Sequence, residues 1–339
     1  MNEINSDLPN AQQTAEQTEA QSAVPERTLI QVLMDNINRA LIGQQEIVEM
    51  ALTCLVAGGH LLIEGVPGLG KTLLVRAIAK SFSGGFSRIQ FTPDLMPSDV
   101  TGHAMFDPKT ETFRIRKGPA FTHLLLADEI NRAPAKTQSA LLEVMQEKKI
   151  TIEGKSYAVN SPFMVLATQN PLEQEGTYPL PEAELDRFLM NIHMDYPSVE
   201  DEISLVKLIT TGQIDDSILL DEISAVTDAQ SIIDLQNQAA EITVDDVLFD
   251  YVVRIVTATR QWPGIQMGAS PRASIGIIRA ARALALVRGI DWVTPDEIKT
   301  VTLPVLRHRI VLSAELEIEG VSITQVVDDI LTQVSAPRI

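Results

Sequence analysis

The chain has 339 residues, of which 45% are apolar and 21% charged, enough for about two globular domains. Its 45 acidic against 27 basic residues give a formal net charge of −18, a surface that repels nucleic-acid backbones and anionic lipid. No run approaches the roughly 18 apolar residues of a membrane span, the N-terminus has neither the basic start nor the apolar core of a secretory signal, and the single Cys54 excludes an internal disulfide. A cytoplasmic protein with no direct membrane insertion and no nucleic-acid partner is the expectation.

Residues 1–26 are rich in Gln, Ala, Glu, Ser and Asn, with no aromatic or basic side chain, and read as a disordered tail. From Thr28 the spacing predicts a helix with Leu29, Val32, Leu33, Ile37, Leu41 and Ile42 on one face. A turn at Gly43 and a second helix to about Ala57 follow, closed by Gly58-Gly59. The apolar run Leu61-Leu62-Ile63 then leads into Gly65-Val66-Pro67-Gly68-Leu69-Gly70-Lys71-Thr72, which reads G-x-x-x-x-G-K-T, and into a helical run starting at Leu73. Strand, glycine-rich loop and helix in this order form a phosphate-binding loop, because inward-turned backbone N–H groups and a helix N-terminus converge on one anion. Gly65 to Leu73 is therefore the candidate nucleotide-binding stretch, with Lys71 meeting the β- and γ-phosphates of ATP and Thr72 placing its hydroxyl on Mg²⁺.

Further apolar runs lie at Ile89-Gln90-Phe91, Leu124 to Ala127 and Met164 to Ala167. Their alternation with helical segments predicts an α/β fold, a parallel sheet sandwiched by helices. Between the first two lies a stretch from Thr101 to Pro119 centred on Asp107-Pro108-Lys109, and before the third lies Lys149 to Val159; both read as hairpins, either plain or directed at a partner. The run Leu124 to Ala127 ends in Asp128-Glu129, whose carboxylates would sit beside the phosphates, Asp128 helping to hold Mg²⁺ and Glu129 acting as general base on the attacking water. The third run ends in Thr168-Gln169-Asn170-Pro171, where Asn170 either opens the turn before Pro171 or hydrogen-bonds the same water or the γ-phosphate.

Beyond Tyr196-Pro197-Ser198 the pattern is helical almost throughout. Thr243 precedes an apolar stripe running from Val247 to Val256. Ser270-Pro271 opens a helix that Gly289 closes, and Thr294-Pro295-Asp296-Glu297 has the spacing of a capping box. The predicted organisation is a tail (1–26), an α/β ATPase core (27–197) and a smaller all-α lid (198–339). The five histidines are scattered without ligand spacing, so no protein-bound transition metal is expected.

These motifs together resemble the AAA+ ATPases, and within them the MoxR family, related to magnesium-chelatase ATPase subunits. The resemblance is carried by Gly65 to Thr72, Ala127-Asp128-Glu129-Ile130-Asn131-Arg132-Ala133-Pro134, Ala167 to Pro171 and Leu180-Pro181-Glu182-Ala183-Glu184-Leu185-Asp186-Arg187-Phe188, and spans Arg27 to the C-terminus. It implies a homo-oligomeric ring, a hexamer, in which Arg187, or alternatively Arg132, reaches the γ-phosphate held by a neighbouring subunit. It further implies that Arg272 is a second sensor of the nucleotide through which the lid moves against the core, and that Ile42-Gly43-Gln44 line the adenine pocket. The stretch from Thr101 to Pro119 is similar to the insertion shared by the MoxR, magnesium-chelatase and MCM groups. A chaperone-like remodelling ATPase acting on a protein client, with a von Willebrand factor A domain partner, is the function implied; a chelatase-type motor, a nucleic-acid translocase and a nucleotide-gated scaffold are the alternatives.

Overall fold

The computed structural model describes residues 27–66, 68–169, 176–210 and 220–338. The tail 1–26, Pro67 and Asn170 lie outside the described residues. Five strands, β1 (Leu61–Glu64), β2 (Phe86–Gln90), β5 (Leu124–Asp128), β8 (Met164–Gln169) and β9 (Met190–His193), form one sheet in the order β2-β5-β8-β1-β9, every pairing parallel. Two antiparallel hairpins stand outside it: β3 (Gly102–Asp107) with β4 (Thr112–Lys117), and β6 (Lys149–Ile152) with β7 (Lys155–Ala158). Helix Lys71–Ser81 follows β1 directly, and helix Ala135–Glu147 follows β5 after a single 3-10 turn.

Strand periodicity decides how this sheet is buried. Leu61, Ile63, Leu124, Leu126, Met164 and Leu166 point into one apolar cluster, while Leu62, Leu125, Ala127, Val165 and Ala167 point into a second on the opposite face. The first cluster does not stop at the sheet. It continues through Cys54 and Leu55 of helix Gln45–Val56 into Tyr251, Ile255, Ile277, Leu284 and Val301 of the C-terminal helices. The helical part is also pinned by polar contacts along helix Gln45–Val56: Arg279 donates to the Ala57 carbonyl (2.7 Å), Gln236 to the Leu55 carbonyl (2.8 Å), and Arg288 pairs with Glu49 (2.9 Å).

Several local expectations change in the structure. The first helix is Arg27–Asn38, and it buries Ile30, Leu33 and Ile37, whereas Val32 is 41% exposed because the i, i+3, i+7 face starts at Ile30. Strand β9 lacks an alternating pattern, was not predicted, and completes the sheet on the far side of β1. The C-terminal part is not purely helical: β10 (Ile265–Met267) pairs antiparallel with β11 (Val311–Leu312). Helix Asp246–Gln261 is capped by Asp245, whose carboxylate accepts from the Val247 amide at 3.0 Å, two residues beyond Thr243. The capping box is present as expected, with Glu297 accepting from the Thr294 amide (3.0 Å) ahead of helix Pro295–Leu306.

His60, at the start of β1, carries a pH dependence. Its Nδ1 accepts from the Val165 amide (3.0 Å) and its Nε2 faces the Met145 carbonyl (3.2 Å), an arrangement that the neutral ring satisfies completely. Burial lowers its pKa from 6.5 to about 4, outweighing the opposing hydrogen bond to Met145. The unfolded chain takes up this proton at 6.5 and the folded chain only near 4, so the stabilisation is complete above pH 6.5 and is lost as pH falls towards 4. At about 1.4 kcal/mol per unit the window is worth about 3 kcal/mol. Buried His308, also shifted well downward, acts in the same direction. Thermal melts between pH 7 and 5 should therefore fall less steeply for His60→Gln than for the parent; equal slopes would remove His60 from the account.

Candidate functional site

The parallel register brings the C-terminal ends of four strands to one edge, with Glu64 beside Gln169 and Gln90 beside Asp128. The loop after β1 crosses this edge where the chain switches between neighbouring strands, the usual position of a ligand crevice in such sheets. A cleft of about 460 Å³ opens there. Its lining includes Gly65, Gly68, Gly70, Lys71 and Thr72 of the loop, Asp128, Glu129, Thr168 and Gln169, and the apolar Ala40, Leu41, Ile42, Leu73, Pro197 and Leu205. A cleft lined by both charged and apolar groups suits a nucleoside triphosphate.

Gly70 is the N-cap of helix Lys71–Ser81 and lies in the left-handed region (φ 85°, ψ 19°), so the loop can turn its amides inward only with glycine there. The Lys71 ammonium donates to the Gly65 carbonyl, folding across the loop it belongs to. Burial pulls the Lys71 pKa down, opposed by the charges of Asp128, Glu129 and Glu64. Glu64, behind the loop, is held by His193 (2.9 Å) and Asn191 (2.7 Å). Burial would raise its pKa, but those hydrogen bonds and nearby positive charges leave it below the usual value.

The acidic pair is built to a similar standard. Buried Thr168 donates to Asp128 Oδ1 (2.6 Å) and accepts from the Glu129 amide (2.9 Å), tying β8 to both carboxylate residues. Arg88 of β2 pairs with Asp128 Oδ2 at 2.6 Å. Glu129 adopts a left-handed backbone (φ 54°, ψ 52°), costly for a residue with a side chain, and its carboxylate is held by Gln90 (2.6 Å) and Arg132 (3.1 Å). Thr72 and Asp128 both line the cleft and offer the hard oxygen ligands that Mg²⁺ prefers, so the donor set fits Mg²⁺. Among the described residues no group of three or more His, Cys, Asp or Glu could hold a metal, so the other ligands would come from substrate oxygens and water.

Of the remaining candidates, Ile42 lines the cleft but Gly43 does not. Gly43 is a glycine for another reason: φ is 75°, and a Cβ there would come within 2.7 Å of the Asp201 carboxylate. Val66 is likewise absent from the lining. Arg132 contacts Glu129 of its own chain. Arg187 and Arg272 do not line their own cleft. Arg187 donates to the Leu142 carbonyl (3.1 Å) and to Gln146 (2.6 Å) of helix Ala135–Glu147. Arg272, at the start of helix Pro271–Val287, pairs with Asp186 (3.4 Å), the residue preceding Arg187. An arginine in a helix's first turn calls for an anion partner, and within the chain that partner is Asp186. The reading of the sequence overlooked Arg88, Gln90 and Thr168; the first two, two apart on β2, share a face, which was the available signal.

This sheet order, loop and lid define a P-loop ATPase of the AAA+ class. The pattern described as "ATPase family associated with various cellular activities (AAA)" matches residues 60–190, and that of the "AAA lid domain" residues 257–330. Chaperone MoxR1 of Mycobacterium tuberculosis is 45% identical over 312 residues, covering 89% of this chain and 81% of that protein. An uncharacterised Bacillus subtilis protein, YeaC, is 45% identical over 90% of this chain and 93% of its own length. Protein MoxR of Methylorubrum extorquens is 31% identical over 88% and 91%. The crystal structure of a candidate ATPase from Cytophaga hutchinsonii superposes with a TM-score of 0.85 at 40% identity, covering 92% of this chain and 96% of that one. The chain belongs to the MoxR family of AAA+ ATPases. No helix among the described residues is long and apolar enough to cross a membrane.

Proposed function

We propose that the protein is an Mg²⁺-dependent ATPase that turns over only as a homo-oligomer, a hexameric ring, and uses hydrolysis to remodel a protein client in the cytoplasm. One observation carries the reading: the cleft gathers loop amides, Lys71, Thr72, Asp128 and Glu129, while Arg187 and Arg272 flank Asp186 outside it. Two cations that both lie away from their own cleft, Arg187 on helix Ala135–Glu147 and Arg272 on Asp186, suit the γ-phosphate bound by the next subunit. On this reading Arg272, expected from the family resemblance to be a second sensor of the nucleotide, serves the same boundary as Arg187.

Within one subunit, the loop amides and Lys71 hold the β- and γ-phosphates, and apolar lining residues such as Leu41 and Ile42 accept the base. Thr72 and Asp128 would hold Mg²⁺, which neutralises phosphate charge and orients the phosphate oxygens when bound. Glu129 takes a proton from the attacking water, and Gln90 and Arg132 fix the direction of its carboxylate. Asn170, next in sequence after β8, is assigned an amide contact to the attacking water or the γ-phosphate, and Arg187 with Arg272 balances the charge that develops in the transition state. The working units are the core 27–197 and the lid 198–339.

Client contact falls to the β3–β4 hairpin, where Phe106 and Phe113 meet edge-to-face at 5.4 Å yet remain 50% and 74% exposed. A relative named a chaperone, MoxR1 of Mycobacterium tuberculosis, supports the remodelling role, and the family resemblance supports a von Willebrand factor A domain partner. ATP turnover measured per subunit across a dilution series tests the core of the reading. Specific activity should fall as the protein dissociates and vanish on chelation of Mg²⁺; constant activity in a species that is monomeric throughout would end the proposal.

A further inference from the structure

Arg309 is 5% exposed, lies just past helix Pro295–Leu306, and spends all five of its N–H donors on the segment around Arg187 and on its own helix. Its Nε bonds Asp186 Oδ1 at 2.5 Å, one terminal nitrogen bonds the carbonyls of Asp186 (3.3 Å) and Phe188 (2.6 Å), and the other bonds the carbonyls of Leu189 (3.1 Å) and Val305. The backbone carbonyls on both sides of Arg187 are therefore held by one guanidinium. Neighbouring His308 adds a contact to the Phe188 carbonyl at 3.0 Å. The second oxygen of Asp186 receives Arg272 (3.4 Å) and the Ser270 hydroxyl (3.3 Å).

We propose that Arg309 is a positioning residue for hydrolysis at the subunit boundary: by gripping the backbone around Arg187 and the carboxylate that holds Arg272, it sets both boundary arginines from within the lid. The inference rests on the reading that Arg187 serves a neighbouring copy. Its physical basis is that a buried arginine with five satisfied donors has one geometry, whereas Arg187 and Arg272 on a turn and a helix end have many. Lysine at this position keeps the charge opposite Asp186 but cannot span five acceptors, so it separates grip from charge.

The test uses full-length protein. Arg309→Lys should retain assembly and keep its KM for ATP within about twofold while kcat drops about a hundredfold. Co-assembled with Glu129→Gln subunits, whose cleft is inactive but whose arginines are intact, it should regain turnover that neither variant shows alone. Arg187→Ala in the same mixture is the control. Recovery with Arg187→Ala but none with Arg309→Lys, an unchanged kcat, or a loss carried wholly by KM would overturn the role of Arg309. No recovery with Arg187→Ala would instead overturn the boundary reading itself, and this inference with it. Should Arg309→Lys not fold, Asp186→Asn, which keeps the shape and removes the charge, is judged by the same mixture; if both fail to fold, Arg309 is a folding element and the proposal falls.

Discussion

Arg187→Ala should leave ATP bound and the fold intact while lowering turnover by about 10³-fold or more, the usual range for an arginine supplied across a boundary to a transferring phosphoryl group. That loss corresponds to about 4 kcal/mol of transition-state stabilisation. Binding should survive because the guanidinium lies outside its own cleft, on Leu142 and Gln146. The fold should survive because those contacts are with one carbonyl and one exposed amide, surface bonds of modest worth. A fluorescent nucleotide titration and a steady-state assay on the same preparation separate the two effects. A variant that hydrolyses ATP at the parent's rate would show that Arg187 never reaches a phosphate.

Glu129→Gln should reduce kcat by about 10²- to 10⁴-fold, the contribution of a positioned general base, with nucleotide affinity held or improved. The substitution is nearly isosteric, and the amide oxygen can still accept from Gln90 and Arg132, so the left-handed turn at position 129 is retained. Asp128 keeps its hydrogen bond from Thr168 and therefore its place at the end of β5. Single-turnover measurements would locate the defect: a slow chemical step with normal binding is expected, whereas slow product release with a normal burst would assign Glu129 a different role.

The parts of this architecture that could be read from the sequence are those whose cause is local. The loop after β1 declared itself because its backbone demands glycine at set positions next to an apolar strand and a helix. The acidic pair declared itself because a fully buried strand, Leu124 to Ala127, ends abruptly in two carboxylates. The two hairpins showed in their turns, and Thr294 with Glu297 marked a helix start three residues apart. Strand β9 was missed because its four residues have no alternation, and their burial comes from β1 on one side and the lid helices on the other. Arg272 was legible as an arginine in need of an anion, but not which anion, since Asp186 is 86 positions away. Arg309 left no trace at all. Its partner at 186 is 123 positions distant, and nothing adjacent in sequence announces that an arginine will be buried.

The shared apolar cluster has a mechanical corollary. Cys54, Leu74, Tyr251, Ile277 and Val301 belong to one buried mass, reinforced by the polar contacts of Gln236, Arg279 and Arg288, so parting core from lid within a subunit would expose apolar interior. A protomer of this kind is expected to move as one block. In an assembly of such blocks, any displacement started by one bound nucleotide cannot be absorbed internally and has to surface as a tilt of the whole block against its neighbour.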